Sequence, residues 1–173
     1  HSLPLKGYYV GGGIPKALSG TTMTFTNNAR TVPLFLDRAA RLDQIGIHCQ
    51  TFTASANYQL GIYSNRQGFR PDRLILRTAN ITVTATGDFS AAIDSTLPAG
   101  VYWLAITWMS GATDNKGPVG TGWLHMAGGG AGNDPHWFST TTGSALQDPW
   151  PTTLTGGTDV IPVIWVRVKE YVG

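Results

Sequence analysis

The feature that most constrains this chain is the uncharged stretch Leu97-Pro98-Ala99-Gly100-Val101-Tyr102-Trp103-Leu104-Ala105-Ile106-Thr107-Trp108. Proline fixes φ and glycine admits unusual dihedrals, so Pro98 and Gly100 form a turn that ends whatever precedes them. The residues that follow are β-branched, aromatic and uncharged, the composition of a strand. With a period of two, Tyr102, Leu104, Ile106 and Trp108 share one face, and Val101, Trp103, Ala105 and Thr107 share the other. Both faces are largely apolar. That pattern predicts a central strand, covered on both sides or covered on one side and at an interface on the other.

With 173 residues the chain is long enough for one domain with a sizeable core, and no linker-like run splits it. Its formal net charge is only +2, with no clustered basic stripe, which argues against a nucleic-acid binder. Arg66, Arg70, Arg73 and Arg77 surround a Gly/Pro loop with only Phe69 among them and read as solvated loop charges. Cys49 is the only cysteine, so no intrachain disulfide forms; it falls in the alternation Ile45-Gly46-Ile47-His48-Cys49 and reads as a small buried hydrophobe. No apolar run reaches the length of a membrane span, and no signal-peptide pattern is present. The chain begins His1-Ser2-Leu3 with no initiator Met, which reads as a segment of something longer.

Residues 1–20 form an irregular lead-in broken by Pro4, Gly7, the Gly11-Gly12-Gly13 triplet and Pro15, with a short strand possible only at Tyr8 and Tyr9. Residues 21–173 read as a single domain. Strands are predicted over 21–26, 31–36, 42–52, 58–63, 74–76, 81–86, 89–93 and 101–108, with Pro33 demoting its strand toward a sheet edge. Residues 37–40 are the one place for a helical turn, and Gly87-Asp88 signals a hairpin. Residues 110–159 are rich in Gly, Thr, Asp, Asn and Pro and predict long loops with short strands at 122–126 and 137–140, before a closing strand over 160–168. Many short strands with regular turn signals and no helix of ten residues predict an all-β antiparallel sandwich of jelly-roll type.

Three pieces, taken in order, carry a resemblance. They are Ala40-Arg41-Leu42-Asp43-Gln44-Ile45-Gly46-Ile47, Leu60-Gly61-Ile62-Tyr63-Ser64-Asn65 with the loop from Gly68 to Pro71, and Leu97-Pro98-Ala99-Gly100-Val101-Tyr102-Trp103-Leu104-Ala105. The segment resembles a domain of tailed-bacteriophage virion proteins, found in tail fibres and tailspikes, and Ile161-Pro162-Val163-Ile164-Trp165-Val166-Arg167 is similar to that family's closing strand. The resemblance implies a location on the virion, outside any cell, and assembly as a homo-oligomer, a trimer, through a parent fibre. It implies that receptor contact belongs to the loops between 110 and 159, and it leaves the ligand open.

Those loops hold the candidate binding residues. Sugars offer flat C–H faces to aromatic rings and hydroxyls to short polar side chains. Asn133, Asp134, His136 and Trp137 have that composition, as do Asp148 with Trp150, and Asp114 and Asn115 upstream of Trp123. The competing reading is that each Trp folds inward to close an open end of the sandwich, its N–H bonded to a loop carbonyl. Trp150 lies between Pro149 and Pro151, which keep it out of a paired strand and predict an indole held outward as a preset platform. No spacing suits a metal site, and no cofactor motif is present. Glu170 is the only glutamate, so an acid–base pair for a polysaccharide depolymerase would need aspartates alone. The expectation is therefore a virion-surface module that binds a host-surface glycan, with no catalytic residues, no nucleic-acid partner and no membrane insertion. The alternative is a purely structural virion domain that holds a fibre together or attaches to another virion protein.

Overall fold

The computed structural model describes residues 8–10, 18–24, 28–113, 115–120, 137–141, 145–151, 155–157 and 161–173. Among these every regular element is a strand: β1 (Tyr8–Val10), β2 (Leu18–Thr24), β3 (Asn28–Leu36), β4 (Ala40–Cys49), β5 (Ala56–Arg66), β6 (Arg70–Arg77), β7 (Ile81–Val83), β8 (Gly87–Leu97), β9 (Gly100–Gly111), β10 (Lys116–Gly120), β11 (Trp137–Thr141), β12 (Thr155–Gly157), β13 (Ile161–Pro162) and β14 (Ile164–Tyr171). One sheet runs β1-β14-β4-β8. A second runs β12-β11-β3-β9-β5-β6, with β7 also on β5, and a small third runs β13-β10-β2. All pairings are antiparallel. The chain is an all-β sandwich, as its alternation and turn pattern predict.

The main core lies between the first two sheets. Leu42, Ile45, Ile47 and Cys49 of β4 and Ile164, Val166 and Val168 of β14 face Val32 and Leu34 of β3, Tyr58, Leu60 and Ile62 of β5, and Leu104 and Ile106 of β9. Each fully buried Leu or Ile contributes about 1.5–3 kcal/mol relative to exposure. The burial matches the period-two reading of β4, β5 and β9. Within the second sheet β9 lies between β3 and β5, pairing Pro33 with Trp103 on one side and Tyr63 with Trp103 on the other. Pro33 cannot donate to a ladder, and among the described residues the β11 pairing of β3 runs only from Asn28 to Thr31, so no described strand pairs with Pro33 on that side.

Two local expectations are corrected. Residues 37–40 form no helical turn. Asp37 and Arg38 make a bend, and Ala40 begins β4, wholly buried and paired with Leu97 and Tyr171. Pairing on both sides of β4 outweighs a weak local helical preference. Gly87-Asp88 is not a hairpin turn. Ile81 and Val83 pair with Tyr58 and Ala56 of β5, whereas Gly87 and Asp88 pair with Cys49 and His48 in the opposite sheet. The link between β7 and β8 therefore crosses between sheets, and Gly87 takes the positive φ (+132°) at the entry to β8. The lead-in contributes β1 to the first sheet and, from Leu18, the start of β2. The strand predicted over 122–126 lies outside the described residues.

The outer face of the first sheet is laced with charge. Arg41 holds Asp94 through two hydrogen bonds (2.7 and 2.9 Å) and reaches Glu170 at 3.5 Å. Arg167 holds Asp43 the same way (2.7 and 2.8 Å), and His48 Nδ1 lies 2.8 Å from Asp88. Between these pairs the Trp165 indole closes over Gly46, where a Cβ would collide with the ring. The apolar residue on this face of β14 is thus covered inside the chain.

Candidate functional site

The outer face of the second sheet is where the chain departs from a simple sandwich. Tyr63 of β5 and Trp103 and Ala105 of β9 point away from the main core, yet all three are fully buried. They belong to a second apolar cluster with Ala29, Leu146 and Trp150, against which Phe69 and Leu74 pack. Residues 145–151 cross β5 and β6 as a strap that supplies the cover. Five hydrogen bonds hold it there. Leu146 N–H donates to Gln59 Oε1 (3.0 Å), and Trp150 N–H to the Asp72 carbonyl (2.8 Å). The Arg77 guanidinium donates to the Leu146 carbonyl (3.2 Å), the Tyr63 hydroxyl to the Gln147 carbonyl (2.6 Å), and Leu74 N–H to Asp148 Oδ1 (3.1 Å). Gly61 makes room for the strap, since a Cβ there would meet Leu146 Cδ1 at 2.6 Å and the Leu76 carbonyl at 2.9 Å. Burial, and then the nearby Asp148 carboxylate, hold the Tyr63 phenol well above its ordinary pKa, with Arg77 opposing them.

This geometry revises the sequence-derived site. Trp150 is not an outward platform. It is 3% exposed, with its ring edge-on to Tyr63 at 5.1 Å. Its flanking prolines do keep it out of a strand, but its own N–H anchors it to β6, and the apolar face beneath draws the indole inward. Among the described residues its Nε1 has no hydrogen-bond partner, and the indole packs in the apolar cluster with Tyr63, Trp103 and Leu146. Asn115 is fully buried and is also corrected as a ligand contact. Its Oδ1 accepts from Thr53 N–H (2.8 Å) and its Nδ2 donates to the Ala54 carbonyl (2.9 Å), so its amide knits together the loop before β5. Asp148 is exposed beside Trp150 on the strap. The backbone of Trp137 lies in β11, opposite Gly157 of β12. Asp114, Trp123, Asn133, Asp134 and His136, and the Trp137 side chain, lie outside the described residues.

Beyond the strap, toward the β5–β6 turn, the same face carries aromatics that sequence reasoning passed over. Gly68 (φ +82°) and Phe69 (φ +53°) both adopt left-handed backbone conformations. A bulky residue in that region is an outlier whose strain persists only where the surroundings enforce it. Here Phe69 sits edge-on to Trp103 at 4.8 Å and stacks on Phe35 at 5.8 Å, 17° from parallel. Trp103 is fixed in turn by Nε1 donating to Asn65 Oδ1 (3.0 Å). Phe35 is 36% exposed and Phe69 half-buried, so the pair forms a shelf open to solvent on a rigid base. The available signals were the phenylalanine inside the otherwise polar turn Asn65-Arg66-Gln67-Gly68-Phe69-Arg70-Pro71, and the odd-numbered, outward parity of Phe35 in β3.

The β5–β6 hairpin also carries the arginines read from sequence as solvated charges. Arg66 and Arg70 are direct cross-strand partners flanking the turn, and Arg73 and Arg77 follow on β6. No group of three or more His, Cys, Asp or Glu side chains suited to a metal occurs among the described residues. What the arrangement offers chemically is binding, through a part-exposed aromatic surface. No family model matches this chain, and no curated protein matches it.

Proposed function

We propose that this sandwich is a surface module of a tailed-phage tail fibre or tailspike and that it holds a host-surface glycan. The virion setting rests on the family-like segments in β4, β5 and β9. The binding role rests on one observation: the stacked Phe35–Phe69 pair, half open to solvent, with Phe69 held in a left-handed conformation against Trp103. An aromatic surface fixed before the ligand arrives loses little conformational entropy on binding. A saccharide ring laid on it covers apolar C–H groups while its hydroxyls reach the polar turn around it.

The test is retention of bacterial surface polysaccharides on the immobilised domain, compared with Phe35→Ala and Phe69→Ala. Loss of one ring of the shelf weakens binding about tenfold. Phe35→Ala, at an exposed position, leaves the melting temperature close to that of the parent. A folded domain that retains no saccharide at millimolar concentration refutes the proposal.

A further inference from the structure

We infer that the edge of the first sheet is a self-association site: β8 pairs antiparallel with β8 of a second copy of this chain, about a two-fold axis at Ala92. β8 ends its sheet, and among the described residues it pairs only with β4. At eleven residues it is the longest edge strand described. An edge strand presents a row of unpaired N–H and C=O groups, which proteins guard with prolines, lysines, inward-pointing charges or a very short strand. β8 has none of these guards, for Gly87-Asp88-Phe89-Ser90-Ala91-Ala92-Ile93-Asp94-Ser95-Thr96-Leu97 contains no Pro, Lys or Arg. Its two acids lie on the outer face, tied to His48 and Arg41 of β4. On its inner face Phe89, Ala91 and Ile93 pack on the main core yet are only partly buried. The irregularity in its ladder with β4 leaves the in–out alternation of β8 unbroken. The corresponding edge of the second sheet, β6, is guarded. It carries Arg70, Pro71, Arg73 and Arg77, and the strap takes its Leu74 N–H and Asp72 carbonyl.

The residues of β8 select a second β8 as the occupant and set the register. With the axis on a residue, inner positions face inner ones, whereas an axis between residues sets every side chain opposite one of the wrong face. Centred on Ala92, the whole strand pairs. Asp88 then faces Thr96 of the second copy, Ser90 faces its Asp94, and Ala92 faces its Ala92. On the inner side Ala91 faces Ile93 and Phe89 faces Ser95, so the apolar row continues across the axis. Each carboxylate meets a hydroxyl able to donate to it. An axis on Ala91 instead sets Asp88 opposite Asp94, like charges that destabilise an antiparallel pair. An axis on any other residue leaves part of the strand unpaired. β8 is thus self-complementary along its full length in one register, and a closed two-fold dimer follows because the same patch serves both copies. The pairing joins two four-stranded sheets into one continuous sheet. Phe35 and the β5–β6 turn belong to the other sheet, so the pairing is independent of glycan binding.

Sedimentation equilibrium of the intact 173-residue chain, from micromolar to millimolar concentration, reads the assembly. The expected result is a reversible rise from the mass of one chain to twice that mass. Ala92→Glu sets two new carboxylates opposite each other at the axis, beside Asp94 of both copies, and weakens dimerisation about tenfold or more. Ala92 is exposed, so this variant melts close to the parent when both are compared at a concentration where the chain is monomeric. Oxidative cross-linking reads the register. Ala92→Cys meets its own counterpart across the axis and forms a disulfide-linked dimer under mild oxidation. Ser90→Cys lies four positions from its counterpart, out of disulfide reach. Cys49 is buried and does not compete. The mass of a single chain at every concentration, or the mass of three chains, overturns the inference. Dimerisation unchanged by Ala92→Glu, or cross-linking of Ala92→Cys no faster than that of Ser90→Cys, overturns it as well.

Discussion

Replacing Trp150 by Ala tests whether the strap is part of the folded structure. Truncating a buried Trp costs about 3–5 kcal/mol, from lost transfer energy and the cavity left behind. Trp150 also loses its edge contact with Tyr63, of a kind worth about 0.5–1.5 kcal/mol. Against this, its Nε1 is buried with no partner among the described residues, and removing an unsatisfied donor returns about 1–3 kcal/mol. The balance is a loss of about 2–4 kcal/mol, a large share of the roughly 5–15 kcal/mol that keeps a domain folded. For a chain of this length that lowers the melting temperature by about 5–15 °C. Trp103→Ala falls further, because the Trp103 indole is both fully buried and bonded to Asn65. Trp150→Phe keeps most of the apolar contact and removes the unpartnered N–H, so it stays within about 1 kcal/mol of the parent. Scanning calorimetry and near-ultraviolet circular dichroism read all three variants. If Trp150→Ala melts within 2 °C of the parent, the indole does not seal the second cluster and the strap is not docked as described.

Gly61→Ala forces a methyl against Leu146 Cδ1 and the Leu76 carbonyl, and destabilises the domain by about 1–3 kcal/mol in urea unfolding. Tyr63→Phe removes the hydrogen bond to the Gln147 carbonyl, lowering stability by about 0.5–1.5 kcal/mol. Because the Tyr63 phenol has a raised folded pKa, its contribution is complete below about pH 10, the unfolded value, and is lost as pH rises beyond it. Tyr63→Phe therefore also makes the alkaline fall in melting temperature shallower. At the acid end, hydrogen bonding to Arg167 holds Asp43 below its usual value, and hydrogen bonding to Arg41 does the same for Asp94. The stability these pairs supply is present above about pH 4 and is lost as pH falls through the lower folded values, so Asp43→Asn flattens the acid limb of a melting-temperature profile.

The sandwich was legible because period-two alternation survives wherever one face of a strand meets the main core. Ile45, Ile47 and Cys49 in β4, and Tyr58, Leu60 and Ile62 in β5, were assigned inward and are buried there. Reading failed where a partner distant in sequence decides the outcome. Whether Gly87-Asp88 turns a hairpin or enters the opposite sheet depends on which strand Ile81 and Val83 pair with, and no local signal records that. Trp150 failed for a related reason. The prolines fix its backbone but say nothing of the apolar surface of Tyr63 and Trp103, formed by strands some fifty to ninety positions earlier. The Phe35–Phe69 shelf joins a strand residue to a turn residue across two sheet positions, and neither is unusual alone.

The two-faced apolarity of β9 has a consequence for assembly. From sequence it argued for either a covered strand or an interface between protomers, and the second possibility was the main physical motive for a structural, oligomerising role. In the fold, Leu104 and Ile106 meet the opposite sheet, while Trp103 and Ala105 meet Leu146 and Trp150 of the same chain. On β14, Trp165 closes over Gly46 and Arg167 is paired with Asp43. A neighbouring protomer that packed on the Trp103 face would first have to strip a strap held by five hydrogen bonds and the burial of Trp150. The apolar faces of β9 and β14 are therefore accounted for within one copy of the chain. No second copy is needed to cover those faces, whereas the Phe35–Phe69 pair is left part-exposed.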